Sequence, residues 1–470
     1  MSVTVNVSGM NQELGRPVTA TTSLAQSDGE TVVFTAPTTG SCFVTLNIAN
    51  RQERSRYSIR LALSESATAQ SSDWIVYDTE IEPGGVLERT GLVLAPDQTI
   101  IVSVTEEVIP LVFNQTKILS SDTTADFGNG IAIGNNRIVI GDSANDGGTG
   151  SAYVFDLNGN QLAKLTASDA AAGDRFGTGL AIGFDRICVG AWNKNAGIGA
   201  AYLFDLAGNE LTKLSVSGLG SGGAQGDQFG FQVAIGENRI VVGAPYYYEN
   251  GIGEIGAAYV FDLAGNELTR ITASDAALND LFGYSLAIGE NRIVVGARGD
   301  DDAGSSSGSA YVFDLNGTQL AKLTASDGSA GDGFGYSVAI GSNRIVVGAP
   351  FDSDVGTRFG SAYVFDLDGN ELEKITASDA NQNAWFGDGV AIAGNFIVVG
   401  APFSEAGRSP QNGLGAAYVL DLNGNELAIL LPNDRASGDY VGRDIATDGN
   451  LIVVGATGSG DGAAYIFTEA

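Results

Sequence analysis

From about residue 115 to the end of the chain, hydrophobic and polar positions follow one pattern written seven times. A representative unit runs FGYSVAIGSNRIVVGAPFDSDVGTRFGSAYVFDLDGNELEKITASDA, from Phe334 to Ala380. It divides into four short segments of strand character, a to d. Segment a (GYSVAIG) carries Gly, Ala and Ser on alternate positions, small side chains suited to strands crowded around a common axis. Segment b (NRIVVGAP) is a continuous apolar run, as expected of a strand buried on both faces. Segments c (AYVFDL) and d (ELEKITA) follow, and the polar–apolar alternation of d marks it as an outer strand.

The unit opens on a dipeptide that recurs at Phe127-Gly128, Phe176-Gly177, Phe229-Gly230, Phe282-Gly283, Phe334-Gly335 and Phe386-Gly387, with Val441-Gly442 as a degenerate seventh copy. The copies lie 49 to 55 residues apart, a period that suits one four-stranded propeller blade and does not fit nine-residue calcium rolls or 34-residue helical repeats. The array opens on an isolated d segment, residues 115–120, and closes on a, b and c alone, ending at Phe467. Pairing that orphan with the last c closes the ring without a free edge. The expected fold is therefore all-β, a seven-bladed β-propeller with circular closure over residues 111–470. Segments c and d are joined by two-residue turns at Asn158-Gly159, Ala207-Gly208, Ala264-Gly265, Asn316-Gly317, Asp368-Gly369 and Asn423-Gly424, with Gly second where positive φ is needed. The flanking DLNGN is also open to reading as a calcium loop, but a hairpin accounts for it.

FG at the start of the unit, GAP after segment b (243–245, 348–350 and 400–402) and LTASDxxxGDxFG between units resemble the FG-GAP repeat family, which includes the integrin α-subunit propeller. The resemblance covers about three quarters of the chain. It implies calcium sites in the a–b connections, but here that connection has shrunk to Gly-Glu-Asn-Arg (236–239 and 289–292) or Gly-Ser-Asn-Arg (341–344). These are too short to wrap an ion, so no metal or other cofactor is expected.

Composition narrows the function. Gly is abundant (66 residues) and Pro scarce (10), with 44% hydrophobic residues, which describes a core-forming chain with many turns. Fifty-five acidic residues against 24 basic ones leave a net charge of −31, so neither nucleic acid nor an anionic membrane is an expected partner. The chain has no histidine, which removes Ser-His-Asp and Cys-His catalysis and imidazole-ligated metals. Paired carboxylates acting on a sugar stay open. Cys42 and Cys188 sit in apolar runs of different segments and read as small buried hydrophobes. The N-terminus has no basic start and no apolar h-region, so no secretory leader is expected.

In a four-stranded blade the d–a and b–c connections emerge on one face and the a–b and c–d turns on the other. The b–c loops (192–199, 245–256, 298–308, 350–360 and 402–415) are long and variable, the usual place for binding on a rigid scaffold. They hold Trp192, Tyr246, Tyr247, Tyr248, Phe351, Arg358, Phe359, Phe403 and Arg408, a set suited to sugar stacking or protein contact, or else to packing on their own loops. Arg298 and Asp300 complete the expected ligand-binding face; they spell Arg-Gly-Asp, which reads as an accident of Arg298 replacing the proline of GAP. No catalytic residue is expected. On the same face an acid recurs two residues before the marker dipeptide, at Asp174, Asp227, Asp280, Asp332 and Asp439. Two readings apply, a ring of carboxylates that attracts cations or a turn cap bonded to backbone N–H groups, and its recurrence with the blade favours the cap.

Residues 1–110 lack the repeat and contain about eight alternating segments, the pattern of a small antiparallel β-sandwich. Residues 71–104 resemble modules of structural proteins in tailed bacteriophages, the marine and cyanobacterial ones in particular. That resemblance implies a virion component, assembled in the host cytoplasm, a fibre, spike or head/neck decoration protein. It would join other virion proteins through residues 1–110, bind a host-surface glycan or protein through the propeller loop face, and form a homo-oligomer. Two alternatives stand beside it: a bacterial FG-GAP adhesion protein, extracellular or on the cell surface, and a propeller glycan hydrolase or lyase.

Overall fold

The computed structural model describes residues 111–470, apart from 123–125, 217, 220–225, 250–252, 355, 380, 405–412 and 459–461, together with the backbone of eight strands in residues 1–110. The chain divides into two compact units, Met1–Pro110 and Leu111–Ala470. In the first, strands form two antiparallel four-stranded sheets. One comprises Pro17–Ala25, Ser2–Asn11, Cys42–Ala49 and Val86–Leu94 in spatial order; the other Glu30–Thr35, Thr99–Val108, Ser55–Ser64 and Trp74–Ile81. How these sheets pack, and with it the expected sandwich, lies outside the described residues.

The second unit is a seven-bladed β-propeller. Blade 1 is built from Ile131–Gly134, Arg137–Asp142, Ser151–Phe155 and Gln161–Leu165, the strands a to d of the sequence pattern. Blades 2 to 6 repeat it over residues 176–214, 233–271, 282–323, 337–375 and 390–430, each an antiparallel sheet in the order a-b-c-d. Blade 7 takes Val441–Thr447, Leu451–Ala456 and Ala463–Glu469 from the C-terminus and its outer strand, Phe113–Ile118, from the start of the propeller. The closing pairing runs antiparallel, with Ala464 opposite Ile118 and Phe467 opposite Gln115. Closure by the orphan strand is therefore as the sequence pattern required, two residues earlier in the chain, and no blade is left with an unpaired outer edge at c.

Two glycines per blade explain why FG and GAP recur together. The marker glycine adopts a left-handed backbone (Gly177 φ +99, Gly387 φ +96) and its carbonyl faces the glycine of strand b in the preceding blade. A Cβ on Gly348 would lie 2.0 Å from the Gly387 carbonyl oxygen, and one on Gly141 would lie 1.9 Å from that of Gly177. The same glycine-to-glycine approach joins Gly455 of blade 7 to Gly128 at the entry of blade 1, so the lock runs around the closed ring. Only residues without a Cβ let adjacent blade backbones come this close. The marker phenylalanine beside it is buried and meets strand c of its own blade edge-on: Phe334 lies 5.4 Å from Tyr363 and 5.9 Å from Phe365, with interplanar angles of 64° and 80°. Val441 is the one copy that forgoes these ring contacts.

Two details differ from the pattern-based expectation. The bore is lined not by small side chains alone but by Ile133, Leu286, Ile340 and Ile392 alternating with Ala132, Ala287, Ala339 and Ala391, around a space of about 270 Å³. Seven blades leave a bore wide enough for branched side chains to fill. The c–d turns are one residue longer than a two-residue hairpin: Gly159 N–H donates to the Asp156 carbonyl at 3.1 Å, and the register shifts at Phe155. Gly159 takes the positive φ of +84, as a type I turn followed by a G1 bulge requires. The a–b turns are tight two-residue ones, with both central residues left-handed, as at Glu237 (φ 51) and Asn238 (φ 57).

Candidate functional site

The repeat dictates where side chains go at the marker. One residue beyond each FG glycine, the backbone aims the side chain at the axial mouth, and here the blades differ: Asn129, Thr178, Phe231, Tyr284, Tyr336, Asp388 and Arg443 form a ring around a cavity of about 200 Å³. One residue further on, in blades 4, 5 and 7, the side chain instead ties one blade to the next. Ser285 Oγ donates to the Gly335 carbonyl and Ser337 Oγ to the Gly387 carbonyl, each at 2.8 Å. In blade 7 this place is taken by Asp444, which accepts the Ile131 N–H of blade 1 at 2.6 Å and the Ile445 N–H at 2.9 Å.

The mouth is chemically graded. Phe231 and Tyr284 rings stand 4.9 Å apart, and Tyr284 and Tyr336 5.2 Å. Tyr336 hydrogen-bonds Asp388, which is only 6% exposed. Burial pushes the Asp388 carboxyl up to about 7, against the opposing pull of the Arg443 charge and the Tyr336 hydroxyl. Asp444 is likewise pushed up to about 7 by burial, although two backbone N–H groups favour its ionised form. Burial raises the Tyr284 and Tyr336 hydroxyls above the usual phenol range, so both stay protonated donors. Arg443 is exposed at the rim. Below the mouth lies the bore.

From this ring an uninterrupted run of aromatic side chains leads outward across the d–a/b–c face. It goes Trp192, Phe231, Tyr284, Tyr336, Phe351, Trp385, Phe403, Tyr440, with successive centroids 4.4 to 6.4 Å apart. Arg298 lies over Tyr284 at 4.4 Å and Tyr336 at 5.8 Å, and Arg358 over Phe351 at 5.7 Å. All eight rings are partly exposed. Trp385 and Tyr440, each immediately before a marker, hold left-handed backbones (φ 59 and 53), a conformation bulky residues adopt only when the surroundings impose it.

Of the residues the sequence pointed to, Trp192, Phe351 and Phe403 belong to this run, and Arg298 and Arg358 stack on it. Tyr246 and Tyr248 are partly exposed on the blade 3 loop, outside the run. Tyr247 is 5% exposed: it packs at 6.3 Å against Tyr259 and hydrogen-bonds Arg270, so it is a core residue. Asp300 is 3% exposed and bonded to Tyr311 and Lys322, which takes it off the surface and leaves Arg-Gly-Asp unable to present its acid. Phe359 packs over Gly356, where a Cβ would collide with its ring. Arg408 lies outside the described residues. Reasoning from loops missed Phe231, Tyr284, Tyr336, Trp385, Asp388, Tyr440 and Arg443. For the axial residues the available signal was the position after the marker glycine, which reads N, T, F, Y, Y, D, R beside a glycine that never changes.

The repeated acids are structural. Asp174, Asp280, Asp332 and Asp439 each accept the N–H three residues upstream, at 2.6 to 2.8 Å, capping the turn into strand a. In the c–d hairpins Asp156 accepts the Asn158 and Asn160 N–H groups and the Asn160 side chain, so its oxygens are committed to the turn and its carboxyl lies below the usual range. At the outer strands a lysine bridges acids from two loops. Asp275, Asp300 and Asp302 converge closely enough to share one cation, and Lys322 fills that place at 2.8, 2.9 and 2.5 Å. Lys374 does the same among Asp327, Asp352 and Asp354. Cys188 is buried and its thiol raised by desolvation, as an inert core residue should be; the Cys42 side chain lies outside the described residues.

No curated protein sequence matches the chain. Among solved structures, the β-propeller domain of the Trilobed protease from Pyrococcus furiosus, described as having an open velcro topology, is similar at 12% identity and a TM-score of 0.43, over 72% of this chain and 91% of that one. The FG-GAP repeat matches seven times, at residues 112–155, 160–204, 219–261, 266–313, 318–365, 370–420 and 425–467. Each matched unit runs d-a-b-c and so spans two blades, which is why the ring closes only when first and last units meet. With most of its length in these repeats, the chain belongs to the FG-GAP repeat family.

Proposed function

We propose that this FG-GAP propeller is a binding or adhesion module, without catalytic activity, which holds its ligand on the d–a/b–c face. The single observation behind this reading is the run of eight contacting, partly exposed rings from Trp192 to Tyr440. Aromatic side chains kept at a surface in an ordered row suit stacking on sugar rings or a protein partner. In this reading residues 1–110 fasten the protein to a particle, as a phage fibre, spike or decoration protein would need, and the propeller meets a host-surface glycan or a neighbouring subunit. Retention of the protein on host cells or on immobilised surface polysaccharide tests it. Trp385→Ala with Phe403→Ala should cut retention about tenfold while the far-ultraviolet spectrum is unchanged. Unchanged retention would sink the reading.

Glycan hydrolysis deserves a second hearing because Asp388 and Asp444 both line the axial cavity with raised pKa values. A two-carboxylate mechanism needs both groups free to act. Both Asp444 oxygens are taken by backbone N–H groups at the joint between blades 7 and 1, so binding is the better account. Release of reducing ends from polysaccharide, abolished by Asp388→Asn, would reverse that preference.

A further inference from the structure

Resting on the binding reading above, we propose that the axial cavity receives one neutral pyranose unit, its ring against Tyr284 and Tyr336 and its hydroxyls on Asp388, Arg443 and Asn129. The cavity of about 200 Å³ is large enough to take a six-membered ring. Its wall offers what a polyol needs: hydroxyls at Thr178, Ser285 and Ser337, amides at Asn129 and Gln232, one buried carboxylate and one guanidinium, beside two flat rings. The buried Asp388 and Asp444 carboxyls give an anion no complementary charge, while Arg298 over the tyrosines and Arg443 at the rim disfavour a cation, so the wall suits an uncharged ligand. The bore beneath carries mostly apolar side chains, Ile133, Leu286, Ile340 and Ile392 among them, and so offers few side-chain hydrogen bonds to a polar chain threading deeper. The site therefore suits the end of a glycan, and the aromatic run leading away from it supplies stacking surface for the units that follow.

Saturation-transfer NMR and calorimetry on the full chain test this with methyl glucoside, methyl galactoside, methyl mannoside and N-acetylglucosamine, and with glucuronic acid as the anionic comparison. At least one neutral sugar should bind with a millimolar dissociation constant and outcompete glucuronic acid. Asp388→Asn and Arg443→Gln should each weaken it at least tenfold. Arg443 is exposed, so its variant keeps the test valid should the buried Asp388 change disturb folding. Binding by none of the neutral sugars, tighter binding of glucuronic acid, or affinity that survives Arg443→Gln would overturn the proposal. If no single sugar binds but polysaccharide retention still depends on Trp385 and Phe403, the cavity assignment falls and the face reading stands; if retention also fails, both fall.

Discussion

The two faces of the propeller come from the same seven blades, yet only one of them carries individual character. On the a–b/c–d face the turns repeat almost without change: two left-handed residues close a–b, and an aspartate whose oxygens are bonded to its own turn closes c–d. On the opposite face the backbone repeats just as closely, locked glycine to glycine between blades, but the side chain beside each lock changes from Asn to Thr, Phe, Tyr, Asp and Arg. A rigid backbone is what allows this. Because the position is held by contacts its own side chain does not make, that side chain is free to vary, and seven side chains of six kinds converge around one cavity.

The contrast is open to attack at its strongest point, the lock. Gly348→Ala puts a Cβ 2.0 Å from the Gly387 carbonyl, where no flexible side chain can yield, and should cost about 3 kcal/mol in denaturant unfolding. Gly331→Ala, with φ +92 but open space around it, should cost only about 1 kcal/mol. Equal losses would show that backbone conformation, and not blade contact, explains the glycines. Nearly as large, Tyr247→Ala should destabilise by about 3 kcal/mol because it empties core space, while Tyr246→Ala stays within about 0.5 kcal/mol. A smaller effect is expected at the rim. Lys374→Met leaves three acids facing one another, with Asp352 only 2% exposed, and about 2 kcal/mol should be lost; a neutral result would mean the acids spread apart or bind a solution cation.

The smallest expected change is in pH dependence. Burial raises Asp388 and Asp444 to about 7 and Asp142 and Asp280 to about 6, above the unfolded value near 4. The stability these groups contribute is complete below about pH 4 and is lost as pH rises through 6 to 7. Asp122 and Asp169, held at about 2 chiefly by their lysine and tyrosine bonds against the cost of burial, act oppositely: their contribution is present above about pH 4 and lost as pH falls through 2. The propeller melting temperature should therefore rise by a few degrees between pH 8 and pH 5. A fall over that interval would mean that the buried acids are ionised without cost.

What the sequence determined by itself was the plan that repeats, though not the length of the c–d turns or the side chains that fill the bore. Blade number, strand order, closure by the orphan strand and the face that carries the variable loops were legible because they follow from period, phase and turn residues, which are local properties counted along the chain. Also legible was the structural part of the acidic repeat, since an aspartate three residues from the N–H it caps is a local device. Tertiary structure alone decided which residues meet. Tyr247 and Tyr246 are neighbours in sequence, and only packing against Tyr259 sends one inward. Asp300 looked like a loop acid until Lys322 and Tyr311 arrived from other strands. The axial ring takes one residue from each blade, about 50 positions apart, so the varying position after the marker glycine is visible along the chain but the meeting of its seven copies is not. Those seven side chains become one site only because closure of the ring turns a repeated position into a circle.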